Sequence, residues 1–277
     1  MSKKTIILLI FIILKFILQY NLINPEYELH RDEFLHLDQA HHLAWGFLSI
    51  PPVTSWISYL IYLLGNNIFW VKFFPCLFGA LTIIVVWKTI EELKGNLFAL
   101  VLGATGILFS SLLRINILYQ PNSLDILMWV CSYFILIKYI NTENNKWIYI
   151  LGVTFALGLL NKYNIIFLLF SLVPTLLITK QRKIFTNKHV YFAAILCFIL
   201  VLPNLIWQYQ NDFPVIHHMN ELTNTQLKNI ERVNFLTEQI LFFTGSIYII
   251  IFGLIGFWIY EPFRKYRFFF WNFSSYY

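Results

Sequence analysis

Charged residues are scarce in this chain. Only 12% of its 277 residues are Asp, Glu, Lys or Arg, and 58% are hydrophobic, whereas soluble domains usually carry about 25% charged residues. The mean hydropathy is +0.65. A water-soluble surface cannot be built from this composition, so the sequence predicts an integral membrane protein.

Cysteine is also rare. Cys76, Cys131 and Cys197 each lie within an apolar run, without a Cys-x-x-Cys pair or a nearby ligand set. Neither a disulfide framework nor a zinc site is therefore indicated.

The net charge of +6 could suggest nucleic acid, but the basic residues form short clusters between apolar runs rather than one basic face. We expect a lipid bilayer as partner and no nucleic acid.

The chain is rich in long apolar runs. A spanning helix needs roughly 20 mainly apolar residues, and the runs predict an all-α, polytopic bundle of about eight transmembrane helices. They lie near 5–23, 68–87, 97–117, 123–140, 147–160, 163–179, 190–206 and 239–260. The first run follows Lys3 and Lys4 and has no small-residue cleavage site, which favours an uncleaved span over a signal peptide.

The charges between these runs are distributed unevenly. With the N-terminus in the cytoplasm, most of the 20 Lys and Arg residues fall inside, as the positive-inside rule requires. We therefore predict one module, 1–277, in the cytoplasmic membrane of a bacterium, with both termini cytoplasmic. Two long loops, 24–67 and 207–238, lie outside. The first contains amphipathic stretches, notably 33–47, that predict interfacial helices ending before Pro51-Pro52.

Asp32 and Glu33 are adjacent carboxylates just beyond the first predicted span, at the start of the predicted interfacial helix. Such a pair at a membrane surface can bind a cation or act as a general base. Equally, both could be solvated acids that the helix dipole favours at a helix start. Glu33 and His36 form Glu-x-x-His, but a di-iron site needs a second copy, which the sequence lacks.

Other polar residues interrupt the apolar runs. Asp125 opens the fourth predicted span, where a carboxylate is costly unless it is partnered or functional, although N-terminal capping is an alternative. Lys162 and Arg114 place positive charge near the acidic loop, as recognition of an anionic headgroup requires, although snorkelling also explains Lys162. His41 and His42 are adjacent, which favours interfacial or substrate-lining positions over one shared metal.

Four motifs follow one another along the chain. They are Asp32-Glu33 with Ala40-His41-His42-Leu43-Ala44-Trp45-Gly46-Phe47 and Pro51-Pro52; Tyr119-Gln120-Pro121-Asn122-Ser123-Leu124-Asp125 with Trp129; Gly158-Leu159-Leu160-Asn161-Lys162-Tyr163; and Leu202-Pro203-Asn204-Leu205-Ile206-Trp207-Gln208 with Pro214 and His217-His218. In this order they resemble the bacterial branch of the GT-C glycosyltransferases, the protein-mannosyltransferase-like family that includes lipid A aminoarabinose transferases. Members of that family are longer, and this chain resembles their N-terminal catalytic part.

The resemblance implies an inverting transferase that moves a sugar from a polyprenyl-phosphate carrier to a lipid, glycan or protein acceptor on the extracytoplasmic face. It implies that Asp32 is the base that activates the acceptor and that Glu33 assists it. Together these two carboxylates could hold a divalent metal. Lys162 and Arg114 are expected to neutralise the carrier phosphate. The residues expected to line the substrate cleft are Asn122, Asp125, Tyr163, His42, Trp207, His217 and His218.

Two alternatives belong to other classes. A lipid or solute transporter would also use outer acids and intramembrane charges, but it predicts midplane charges and broken helices, whereas the candidate charges here gather at the outer boundary. An inactive fragment that keeps only the membrane scaffold is the second alternative, because the sequence ends soon after the basic cluster Arg264-Lys265-Tyr266-Arg267.

Overall fold

Helices form the whole fold of the described residues. The computed structural model describes residues 1–23, 29–229, 231–242 and 246–266, and these ranges contain no β-strand. Their α-helices are α1 (Lys3–Asn21), α2 (Arg31–Asp38), α3 (Val53–Leu63), α4 (Ile68–Glu92), α5 (Leu97–Leu108), α6 (Leu112–Ile115), α7 (Asn122–Thr142), α8 (Lys146–Asn161), α9 (Ile165–Ile178), α10 (Lys188–Gln210), α11 (Pro214–Thr225), α12 (Arg232–Phe242) and α13 (Ile247–Ile259). Shorter 3-10 segments lie at Gln39–His41, Lys180–Thr186, Leu227–Asn229 and Glu261–Tyr266. The predicted all-α fold is confirmed.

Four of these helices, α1, α4, α7 and α10, are long and apolar enough to cross a membrane. A fifth candidate joins α9 to Lys180–Thr186 across a bend of 108°. The predicted spans at 97–117 and 147–160 correspond to α5 and α8, which have 12 and 16 residues and are shorter than the roughly 20 residues of a full span. The eighth predicted span is divided between α12 and α13, and 243–245 lie outside the described residues. The count of eight is therefore not confirmed.

The segment predicted as the first outer loop is less helical than expected. Instead of one amphipathic stretch over 33–47, α2 ends at Asp38 and a 3-10 turn continues to His41. The next helix, α3, begins directly after Pro52. Residues 24–28 of this loop lie outside the described residues. The apolar pattern does not decide which side of α2 is buried, since Phe34 is 50% exposed while Glu33 is fully buried. Glu33 is buried because it pairs with Lys72 of α4 and with the backbone N–H of Tyr119.

The helix α7 lies at the centre of the bundle. It packs against α4 on one side and α8 on the other, while α8 also packs against α10 and α1 packs against α4. Gly152 allows α8 and α10 to approach closely, because a Cβ at this position would lie 2.7 Å from the Ala193 carbonyl oxygen. On the outer face of α10, Phe198 and Ile199 are more than half exposed, as side chains facing lipid are.

The bundle has two chemically different ends. We call the end that carries Asp32, Asn122 and Lys162 the motif end. At the opposite end, the Lys138 ammonium meets the Glu92 carboxylate at 2.5 Å and that of Lys183 meets Glu143 at 2.6 Å. Because α7 runs from Asn122 to Thr142, these two ends are separated by the length of a spanning helix.

Candidate functional site

A chain of side-chain hydrogen bonds joins three of the sequence motifs at the motif end. Gln120 Nε2 donates to Asp32 Oδ2 at 3.0 Å, and Asn122 Nδ2 donates to Gln120 Oε1 at 3.1 Å. Lys162 Nζ then donates to Asn122 Oδ1 at 2.7 Å. We call these four residues the Asp32–Lys162 chain. It connects a carboxylate of α2 to an ammonium at the end of α8 through the start of α7.

Asp32 is the accessible end of this chain. Its side chain is 39% exposed, and it lies in the first turn of α2, where the helix dipole favours a negative charge. The helix starts here because His30 Nδ1 accepts a bond from the Asp32 backbone N–H, at 3.3 Å, while Glu33 accepts one from the His30 backbone N–H, at 2.9 Å. These two bonds satisfy donors that a helix start otherwise leaves free. They also direct Asp32 away from the buried side of α2.

Glu33 has the opposite environment, because it is fully buried and paired. Lys72 Nζ of α4 donates to its Oε1 at 2.7 Å and to its Oε2 at 2.8 Å. The backbone N–H of Tyr119 donates to Oε1 at 2.7 Å, and that of His30 to Oε2. A carboxylate offers about four lone-pair positions, and all four are used here. Glu33 is thus the centre of a link between α2, α4 and the segment before α7.

This environment changes the expected role of Glu33. It is neither a solvated helix-start acid nor an open partner of Asp32, because its oxygens already serve Lys72 and two backbone donors. The expected divalent metal at Asp32 and Glu33 does not fit this arrangement, since Asp32 alone keeps an accessible carboxylate. In the described part of the chain, no group of three or more His, Cys, Asp or Glu residues is placed to hold a metal ion.

Asp125 lies in the first turn of α7 and is buried. Its Oδ2 accepts a bond from Asn164 Nδ2 at 2.9 Å, whereas its Oδ1 has no hydrogen-bond partner among the described residues. It does not cap the helix, since Pro121 stands at the capping position and makes no side-chain cap bond. Asp125 instead joins the start of α7 to the start of α9, next to Lys162.

Tyr163 connects the turn after α8 to α10. Its hydroxyl donates to Asn204 Oδ1 at 2.9 Å and accepts from Gln208 Nε2 at 3.0 Å. Asn204 Nδ2 in turn donates to the Trp45 carbonyl oxygen in the first loop. Burial raises the pKa of the Tyr163 hydroxyl, against the effect of its two hydrogen bonds, so this group stays a neutral donor. The third and fourth motifs thus meet the first.

Trp207 belongs to α10 rather than to the predicted second loop, since α10 continues to Gln210. Its ring packs over Gly46 so closely that a Cβ there would lie 2.7 Å from Trp207 Cζ3. Only glycine fits at this contact without displacing the indole ring. The Gly46–Trp207 contact holds the segment between α2 and α3 against the end of α10.

Four expected site residues do not join this arrangement. His42 and His217 are exposed, and His218 is half-buried on α11. Arg114 is exposed on the short helix α6. Among the residues that the structure describes, none of these four makes a side-chain hydrogen bond or ion pair with the Asp32–Lys162 chain.

Comparison with known proteins gives the chain a family. The model of the dolichyl-phosphate-mannose-protein mannosyltransferase family matches residues 49–207. The chain belongs to this family. The predicted family is thereby confirmed, although Asp32-Glu33 and His217-His218 lie outside the matched range. Membership together with the long apolar helices makes the chain a multi-pass membrane protein. The matched range includes Lys72, Gln120, Asn122 and Lys162 and ends at Trp207.

A curated relative is also a glycosyltransferase by name. The lipid A galacturonosyltransferase RgtD of Rhizobium johnstonii is 23% identical over 199 residues, which cover 68% of this chain and 41% of that protein. The chain thus spans less than half the length of this relative. No solved structure matches the chain significantly.

Two residues of the site were not predicted as functional. Gln120 stands in the second motif, and its polar side chain between Tyr119 and Pro121 was the only sign of its place beside Asp32. Lys72 lies in none of the four motifs. Its signal was a lysine early in an otherwise apolar span, which is costly without a partner. Its partner Glu33 lies 39 residues away.

Proposed function

We propose that this chain acts as a membrane glycosyltransferase, moving a sugar from a polyprenyl-phosphate carrier to an acceptor at the motif end. The observation that carries the proposal is the Asp32–Lys162 chain, which connects an accessible carboxylate to an ammonium through two amide side chains. Membership of a mannosyltransferase family supports the reaction class. The name of the relative RgtD makes lipid A, or another glycolipid, the first acceptor to test.

In this proposal Asp32 removes the proton of the acceptor hydroxyl. The hydroxyl oxygen then forms a bond to the anomeric carbon while the bond from that carbon to the carrier phosphate breaks. The carrier phosphate leaves with the electron pair, and attack from the opposite face inverts the anomeric configuration. Gln120 orients the carboxylate through Oδ2, so that it need not reorganise during the reaction.

Lys162 stabilises the phosphate that leaves. An ammonium has three donors, and only one of them is used by Asn122, which leaves two for phosphate oxygens. The hydrogen bond to Asn122 thus fixes the position of the Lys162 ammonium. Asp125 and Tyr163 line the same end of the bundle on the far side of Lys162. In such displacements, a positive charge that is already in position stabilises the leaving group and accounts for much of the rate enhancement.

The decisive experiment is a transfer assay in membranes that contain the full chain. A radiolabelled polyprenyl-phosphate sugar is the donor, and a lipid extract containing lipid A is the acceptor. We expect labelled product from wild type and none above background from Asp32→Asn. Asp38→Asn is the matched control, because Asp38 is an exposed carboxylate at the end of the same helix and makes no side-chain cap bond. Equal activity of Asp32→Asn and wild type would reject the mechanism.

The orientation of the chain is a separate part of the proposal. We propose that the motif end faces the exterior and the opposite end the cytoplasm of a bacterial inner membrane. A cysteine at Asn220 should react with an impermeant reagent added from outside, whereas one at Arg182 should react only after lysis. Both variants are made in a background in which the three native cysteines are serine. The reverse pattern would invert the topology.

A further inference from the structure

An open apolar groove of about 470 Å³ lies between α8, α9 and α10. Tyr163 borders it at the motif end, and Ile184 and Phe185 border it at the opposite end. Along α10 its lining extends from Val190 to Leu205, which corresponds to about 22 Å at 1.5 Å per residue. The groove therefore has the length and the lining of a site for one hydrocarbon chain.

The segment Lys180–Thr186 forms the mouth of the groove at the opposite end. It is bent by 108° from α9, so it runs across the direction of the helices, as a segment lying in a membrane interface does. Ile184 is buried and Phe185 is partly buried, and both line the groove. The same segment therefore combines an apolar side with the basic side chains of Lys180 and Arg182, which are exposed.

The basic residues at this mouth are only partly neutralised. Lys183 pairs with Glu143 at 2.6 Å. Lys180, Arg182 and Lys188 make no ion pair within the part of the chain that the structure describes. Three cations without carboxylates thus stand within nine residues of each other, beside the end of a hydrocarbon groove. An anion attached to an acyl chain would satisfy both features at once.

We propose that this groove binds an acyl chain of an anionic phospholipid whose headgroup phosphate lies against Lys180, Arg182 and Lys188. Basic pockets between helices on the cytoplasmic side favour such lipids because charge attraction adds to the burial of the chain. The motif end is a weaker place for this headgroup, since the groove is bordered there by the neutral Tyr163 rather than by several cations. The site lies at the other end of the bundle from Asp32 and does not rest on the proposed reaction.

Titration of the purified full chain with two lipids, followed by native mass spectrometry, tests the proposal. Dioleoylphosphatidylglycerol and dioleoylphosphatidylcholine carry the same acyl chains and differ in headgroup charge. We expect the anionic lipid to bind at least roughly tenfold more tightly, because each basic residue near the surface contributes about fivefold. The combined variant Lys180→Gln, Arg182→Gln, Lys188→Gln should remove this preference. The control Lys3→Gln, Lys4→Gln carries its changes at the start of α1 and should retain it.

Two further measurements keep the outcome interpretable. Ala194→Trp should weaken binding of both lipids, because Ala194 lines the groove and is exposed, so an indole there fills the space. If the combined variant does not fold, about 0.5 M salt must weaken phosphatidylglycerol binding to wild type but leave phosphatidylcholine unaffected.

A photoreactive acyl chain on the phosphatidylglycerol should attach to lining residues of α8, α9 or α10. Equal affinity for the two lipids, or attachment elsewhere, would overturn the proposal. Displacement of phosphatidylglycerol by polyprenyl phosphate, with no effect of the charge-removing variant, would assign the groove to the sugar carrier instead.

Discussion

Two polar networks start from neighbouring residues in the first turn of α2. The one at Glu33 is closed, since the carboxylate is fully buried and all its lone-pair positions meet Lys72 or backbone N–H groups. The one at Asp32 is open, because this side chain is 39% exposed; Gln120 donates to its Oδ2, and only the exposed side chain of Arg31 donates to its Oδ1 among the hydrogen bonds of the described residues. Burying a carboxylate is costly unless it is paired, and the pairing of Glu33 occupies its oxygens, whereas the partly exposed Asp32 remains accessible to an acceptor hydroxyl.

The largest expected effect is on activity and comes from Asp32→Asn. Asparagine has the same shape and can still accept from Gln120, but it cannot remove a proton. We expect transfer to fall by roughly 10²–10⁴-fold with an unchanged thermal unfolding midpoint in detergent. More than about a tenth of the wild-type rate, far above the range for a lost general base, would show that Asp32 is not the base.

Glu33→Gln should act mainly on stability instead. Removing one partner of a buried ion pair costs about 3–5 kcal/mol, because the other charge stays buried and uncompensated. The midpoint of thermal unfolding should therefore fall strongly. In the double variant Glu33→Gln, Lys72→Met the buried ammonium is gone, and we expect part of the lost stability to return. A single variant as stable as wild type would contradict the closed network.

Changes at Lys162 should separate charge from shape at the other end of the open network. Lys162→Gln should weaken donor binding by roughly tenfold, the scale of one lost hydrogen bond to a charged group. Lys162→Arg should keep part of the affinity because the positive charge remains. The polyprenyl-phosphate donor is titrated against each variant at matched expression. A lysine that only snorkels would tolerate both changes, and equal donor affinity in Lys162→Gln and wild type would remove it from the site.

The smallest effect concerns acid pH and His36, which lies on the buried face of α2 near Glu33. Burial lowers the pKa of its imidazole, although Asp32, Gln39 and Glu33 oppose the shift. Below the unfolded pKa of about 6.5, the unfolded state binds more protons than the folded state, so stability falls as the pH falls. Unfolding midpoints between pH 7.5 and 5.5, bracketing that value of about 6.5, should show the fall in wild type. His36→Phe should reduce it, and an identical slope in both would exclude His36 as its source.

The long apolar runs predicted the parts of the fold that depend on local composition. The runs near 5–23, 68–87, 123–140 and 190–206 correspond to α1, α4, α7 and α10. The prediction was less accurate where apolar residues form helices too short to span, as in α5, α8 and α13. Hydropathy averages over a window, so it does not register the breaks that end such helices.

The motifs predicted part of the candidate site. Asp32, Asn122 and Lys162 stand in three separate motifs and are joined by hydrogen bonds. The different environments of Asp32 and Glu33 could not be predicted, because adjacent acids look alike in a sequence. They differ because Lys72 pairs with Glu33 and not with Asp32. Their catalytic and substrate roles stay predictions until the assays are done.

Membrane location, helical structure and the family resemblance of the motifs could all be inferred from the amino-acid sequence. These properties follow from composition and from residue order, which act locally along the chain. The packing of the helices was needed to show that the Glu33 carboxylate is buried and paired while that of Asp32 is accessible. It was also needed to show that an apolar groove ends beside the basic segment Lys180–Thr186. Each of these depends on which distant side chains come within about 3 Å of one another, and that distance is set by how α4, α7, α8 and α10 pack.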